Sequence, residues 1–191
     1  MRPQPAQRRV TRTMPLPLGH TAIGLALYEG ATNRSAFEDW KTPLAAAVLA
    51  NLPDIDVFLG LLWAWNGSAF HRGPTHSLLF ALGAAFLYAR AAHRWRGLPR
   101  IGCGAAFLLV ASHVAADAAL SSSGVSWFWP LATFFSQGST GWGEVTRMAL
   151  KSSPLDGVLA FAAALFLALR RGLLLWRTAR VPAATRNERR R

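Results

Sequence analysis

The sequence predicts an all-α protein, a polytopic bundle of membrane helices with a half-buried metal site at its outer side. Three observations carry this reading. Of 191 residues, 52% are hydrophobic and 16% charged, where an average soluble domain has about 25% charged residues, and mean hydropathy is +0.22. Several long stretches are apolar on most faces, not along one stripe as on a surface helix. The ionisable residues within these stretches are His and Asp at short, regular spacings. The same composition excludes a disordered chain. The single Cys103 excludes an internal disulfide and a Cys-rich zinc site.

Residues 1–13 (MRPQPAQRRVTRT) form a basic extension. No apolar run follows their charges directly, so a cleavable signal peptide is not expected, and Met14 is the expected working start. Residues 16–28 are apolar but reach only about 20 Å as a helix, a short or tilted element. Residues 43–63 are apolar but interrupted by Asn51, Pro53, Asp54 and Asp56. A span needs about 20 mostly apolar residues. Residues 101–120 and 154–176 meet that length, and residues 78–92 meet it only if Thr75 to Ser77 join them. Three or four full spans are therefore expected within a single membrane-embedded domain over 14–176. Residues 177–191 read as a disordered basic cytoplasmic tail without interleaved aromatics, and no nucleic-acid partner is expected.

Charge gives the orientation. The net charge is +12, but ten of the 21 Lys and Arg residues lie in the two tails, so a folded basic groove is not implied. Cytoplasmic loops are rich in Lys and Arg. Arg90, Arg94, Arg96 and Arg100 lie in one loop, and Arg170, Arg171, Arg177, Arg180, Arg186, Arg189, Arg190 and Arg191 flank the last span. Both regions are expected inside. The opposite loops hold only Arg72, Arg147 and Lys151. Trp63, Trp65, Trp127, Trp129 and Trp142 fall near the outer ends, as in an interfacial aromatic belt.

Ionisable residues in membrane segments are costly and are functional candidates by default. Asp54 and Asp56 sit in NLPDID, His71 and His76 in HRGPTHS, and His113 and Asp117 in SHVAAD. The last pair is spaced i, i+4, which puts both on one helix face, one turn apart. With the orientation set by Arg and Lys alone, all six fall at the same outer depth. His20 joins them if its short helix enters from outside. Imidazole and carboxylate together suit zinc, manganese or iron, with zinc favoured. The metal ligands read from the sequence are His20, Asp54, His71, His76, His113 and Asp117, enough for two ions bridged by one Asp. Asp56 is either a catalytic carboxylate or a group that orients a His. Pro53 and Pro74 are expected to interrupt helix hydrogen bonding beside these ligands. Glu144, in the outer loop, is either a general base or a solvated charge. Asp156 reads as a charge at the start of the last helix, and His93, among arginines, as interfacial.

GHTAIG, NLPDID, HRGPTHS and SHVAAD followed by FWPL together resemble the bacterial inner-membrane, metal-dependent hydrolase family of YdjM-like, LexA-regulated proteins, over roughly residues 14–135. The resemblance implies an integral inner-membrane protein with a metal-dependent hydrolase fold. A weaker likeness is to the all-α zinc-dependent phospholipases C, which order their ligands as His, Asp, His and then HxxxD. That likeness suggests a phosphodiester or phospholipid substrate, although this chain has no His after His113 for a third metal of that kind.

The expected function is a membrane-bound hydrolase that attacks a phosphoester or lipid-linked substrate with metal-activated water. Its partners are the bilayer and that substrate. One alternative is a metal-ion transporter, which needs polar residues at several depths. Another is a structural membrane protein stapled by a closed metal site.

Overall fold

A computed structural model describes residues 15–120, 124–131 and 141–179, which contain helices and no strand. The basic extension 1–13, Met14 and residues 180–191 of the tail lie outside the described residues. The helices are α1 (Pro17–Thr32), α2 (Lys41–Asn51), α3 (Ile55–Ala64), α4 (Leu78–Arg94), α5 (Cys103–Leu120) and α6 (Trp142–Ala179). Two 3-10 turns, Leu52–Asp54 and Pro74–His76, stand between α2 and α3 and before α4.

Among the described residues, three stretches are long and apolar enough to cross a membrane: Lys41–Ala64, Cys103–Leu120 and Trp142–Trp176. The first is the interrupted 43–63 segment. Its break falls at the 3-10 turn Leu52–Asp54, whose middle residue is Pro53. The 78–92 segment becomes a 17-residue helix, just under span length. Ser77 caps α4, its hydroxyl accepting from the Phe80 N–H at 3.1 Å. At the head of α2, Asp39 accepts the Thr42 N–H at 2.7 Å and the Thr42 hydroxyl at 3.1 Å. These bonds, the backbone one first, hold the Asp39 carboxyl below its ordinary range.

The last helix departs most from expectation. Residues 142–153 continue α6 upstream of the 154–176 span, giving a helix roughly 57 Å long. It also runs past 176 to Ala179. Pro154 lies inside it. Proline cannot donate to the carbonyl four residues back, and here the Ser153 hydroxyl donates to Leu150 O at 2.8 Å instead. The reading of Asp156 as a helix-start charge is overturned by the same extension. Asp156 lies well inside α6, is buried, and accepts the Leu16 N–H at 2.6 Å.

Helix α5 packs on α1, α2 and α4, and α1 also packs on α2 and α6. The core is built of small residues, among them Ala46, Ala81, Ala85 and Ala106, with Leu49, Leu109 and Val110. Small side chains let helices approach closely where lipid gives no hydrophobic drive to associate. At Gly24 a Cβ would stand 2.9 Å from Ala50 Cβ and 3.1 Å from Leu109 Cδ2, so the α1, α2 and α5 contact needs glycine there. The outer faces carry exposed Leu82, Phe86, Phe161, Leu169 and Leu173, as lipid-facing surfaces do.

Far from His20 along α1, Glu29 is fully buried and holds α1 to α6. Its carboxylate lies 3.0 Å from Arg171 Nη2 and 3.5 Å from Arg170 Nη1, and accepts the Ala36 N–H at 2.9 Å. Removing one partner of a buried pair costs roughly 3–5 kcal/mol. Because Arg171 is half exposed, Glu29→Ala is expected to cost less, about 2–3 kcal/mol. Denaturant unfolding of the detergent-solubilised protein measures this, and an unchanged midpoint would contradict it.

Candidate metal centre

Four separate chain segments bring the predicted residues together. His20 comes from the first turn of α1, one residue after Gly19. Asp54 ends the 3-10 turn Leu52–Asp54, which contains Pro53, and Asp56 lies in the first turn of α3. His71 precedes the 3-10 turn opened by Pro74, and His76 closes that turn. His113 and Asp117 lie on one face of α5. His20, Asp56, His71, His76, His113 and Asp117 are buried, and the Asp54 side chain is 25% exposed.

Asp56 organises the histidines. Its Oδ1 lies 3.0 Å from His71 Nδ1 and its Oδ2 lies 3.1 Å from His76 Nδ1. The Thr75 hydroxyl donates to Oδ2 by a short hydrogen bond, and the Arg72 N–H donates to it at 3.3 Å. With Nδ1–H given to the carboxylate, each ring presents a bare Nε2, the tautomer a metal ligand needs. His113 reaches the same state by another route, because its Nδ1 lies 2.8 Å from the Ala50 carbonyl, which can only accept. The His20 ring stacks on His113 with centroids 3.7 Å apart.

The bare nitrogens converge on two carboxylates. His113 Nε2 lies 3.2 Å and His76 Nε2 3.7 Å from Asp54 Oδ1. His76 Nε2 lies 3.6 Å from Asp117 Oδ2, and His20 Nε2 lies 3.5 Å from Asp117 Oδ1. Most of these separations exceed a good hydrogen bond. They match the donor–donor edge of about 3.3 Å in a tetrahedron with metal bonds of 2.0–2.1 Å. The Nε2 atoms of His20, His71, His76 and His113 are buried without a hydrogen-bond partner among the described residues. Each such atom costs about 1–3 kcal/mol if left unmet. A divalent ion is the group that these donors fit. The sets His20, His113, Asp117 and Asp54, His76, His113 each gather three donors within 4.8 Å of one another.

A cavity of about 280 Å³ adjoins the donors. Asp54, His71 and Asp117 contribute to its lining, and Leu16, Phe58 and Met148 supply apolar wall. The donor cluster is therefore reachable from one side.

Two sequence assignments change. Glu144 is not in this cluster: α6 begins two residues before it, and Glu144 is exposed and paired with Arg147 at 2.7 Å. Arg72, counted as an outer-loop charge, is buried, with Nη2 3.5 Å from Asp117 Oδ2. Its backbone has φ 68°, a left-handed conformation that is uncommon for arginine. Thr75 and the Ala50 carbonyl were also missed. Thr75 could have been noticed, since it immediately precedes His76 in HRGPTHS. The Ala50 carbonyl carries no sequence signal at all.

A family model described as YdjM inner membrane protein matches residues 14–184. Inner membrane protein YbcI of Escherichia coli (strain K12) is 34% identical over 121 residues, spanning 61% of this chain and 68% of that protein. No solved structure matches.

The geometry separates donors from their supports. His113→Ala and Asp117→Ala are each expected to abolish zinc retention by the detergent-purified protein while membrane insertion persists. Asp56→Ala, which only frees the tautomers, is expected to weaken zinc by about 10–100-fold. Elemental analysis after dialysis against a graded chelator reads both, and unchanged zinc in an H113A/D117A double variant would remove the centre.

Proposed function

The chain belongs to the YdjM inner membrane protein family, and on that premise we propose that it is a membrane-bound, metal-dependent hydrolase of a phosphoester or lipid-linked substrate. The observation that carries the proposal is the convergence of three buried, partnerless imidazole nitrogens, those of His20, His76 and His113, on two carboxylates beside a cavity with apolar walls.

In this reading His20, His76, His113, Asp54 and Asp117 would hold the metal, zinc by donor class. Asp117 would offer both oxygens, since Oδ1 faces His20 and Oδ2 faces His76. When bound, such an ion lowers the pKa of water and clamps the oxygens of a scissile ester. His71 differs from the other imidazoles. It lines the cavity, and its Nδ1 is anchored on Asp56 with Nε2 bare. An imidazole so held is a general base, its carboxylate fixing tautomer and direction. The proton taken up at His71 Nε2 then passes to the leaving oxygen. Asp56 supports this step without touching the substrate, and His71 takes the role of base for which Glu144 was one candidate. Arg72 sets a positive charge behind Asp117 and favours an anionic ester.

The apolar walls of the cavity favour a substrate with a lipid part. They also weigh against a metal stapled into a closed structural site, which leaves no open position. Against a transporter stands the alanine and leucine core over the remainder of the bundle. The arginine distribution supports a site facing outward from the bacterial inner membrane with the C-terminus inside.

Two measurements test this. The chelator-stripped protein is expected to hydrolyse bis(p-nitrophenyl) phosphate or phosphatidylglycerol only after zinc is restored, and H71A to retain zinc but lose at least about 100-fold in rate. Zinc-independent turnover, or H71A at full rate, would overturn it. A phosphatase reporter fused after Arg191 is expected to be inactive and a cytoplasmic fluorescent reporter active, and the reverse would turn the site inward.

A further inference from the structure

Helix α6 contributes none of the donors in the cluster, yet it carries a buried carboxylate aimed at the helix that does. Asp156 is 4% exposed and its Oδ1 accepts the Leu16 N–H at 2.6 Å. Within Pro15, Leu16 and Pro17 only Leu16 has an N–H to give. The carbonyl of that same residue accepts the His20 N–H at 3.1 Å, the first rung of α1. Leu16 is thus a one-residue link: Asp156 grips one side of it and His20 hangs from the other. Gly19 completes the fit, because a Cβ there would collide with the Asp156 carboxylate. A carboxylate at this end also complements the positive end of the α1 dipole.

From this chain of contacts we infer that Asp156 is a positioning residue, which sets the height and rotation of His20 in the metal-binding cluster through the Leu16 backbone. The inference rests on the metal reading above and adds α6 to its supports. Stacking makes the position of His20 exacting. The ring must lie flat on His113 at 3.7 Å while Nε2 stays 3.5 Å from Asp117 Oδ1. A slide of α1 along α6 breaks both relations at once. The Glu29 clamp at the far end limits that slide only loosely, because Arg171, one of its partners, is half exposed.

The test uses the full chain in detergent, with zinc affinity read by chelator competition and ligand geometry by the visible spectrum of the cobalt-loaded protein. D156A is expected to weaken zinc about tenfold and to alter the cobalt bands, and D156N, which keeps the accepting oxygen, to restore both. R171A, which loosens the opposite clamp, is expected to lower thermal stability and leave zinc affinity and cobalt bands unchanged. G19A presses a methyl group on the same carboxylate and is expected to act like D156A, so it carries the test if D156A fails to fold. Wild-type affinity and spectrum in D156A or, failing that variant, in G19A would overturn the inference. So would a loss in R171A equal to that in D156A, which would mean general loosening. If H113A loses metal while D156A does not, only this inference fails. If the wild-type chain takes up neither zinc nor cobalt, the metal reading fails and takes the inference with it.

Discussion

A carboxylate buried among apolar helices is tolerable only if every oxygen is met by a donor, and Asp56 satisfies that condition. Its two oxygens are met by His71, His76, Thr75 and the Arg72 backbone. That requirement ties the first turn of α3 to the loop ahead of α4. It also fixes two imidazole tautomers, so the hydrogen bonds that stabilise the carboxylate leave two Nε2 lone pairs unmet. The cost of burying one charge is thereby moved to the centre of the site, where an ion can answer it.

The same logic explains why this part of the bundle is irregular. Regular helix would use up every backbone group. The 3-10 turns that contain Pro53 and Pro74 instead bring Asp54, Asp56 and His76 to one place from short segments. Helix α5 is unbroken there and needs no such device, since His113 and Asp117 are already one turn apart. Its tie to α2, from His113 Nδ1 to the Ala50 carbonyl, uses an oxygen near the end of α2, just where the helix gives way to the turn. Outside this region the core is alanine, leucine and valine, packed closely enough that Gly24 cannot be enlarged without a shift.

Helix α6 shows how a lipid-facing element contributes without supplying a ligand. Most of its surface is exposed apolar side chain. Its polar contacts with α1 fall at the two ends of that helix: Asp156 on Leu16, and Arg170 and Arg171 on Glu29. Helices in lipid gain little from apolar contact with one another, so a few polar contacts set their relative position. The arginines beside Glu29 are also among the charges from which the sequence reading took its orientation, and in the fold they serve packing.

The sequence by itself determined the class of the protein and the residues that cluster in it. Composition and run length gave the membrane helices, because burial in lipid leaves no other way to satisfy the backbone. The spacings in NLPDID, HRGPTHS and SHVAAD named six of the seven clustered His and Asp residues, and GHTAIG holds the seventh, His20, because unpaired ionisable groups within apolar segments demand a partner. Tertiary structure alone decided which of their atoms are met. Asp56 is reached by four donors, and His113 has its Nδ1 taken by a backbone carbonyl from α2, a contact no sequence pattern carries, with its Nε2 left without a partner among the described residues. Arg72 could be counted as an outer charge until the fold buried it against Asp117, and Glu144 was expected in the site until α6 proved to start before it. Asp156 looked like a helix-start charge for the same reason. Each correction turns on where a segment of chain lies relative to another far away in sequence, and periodicity and composition report only on neighbours.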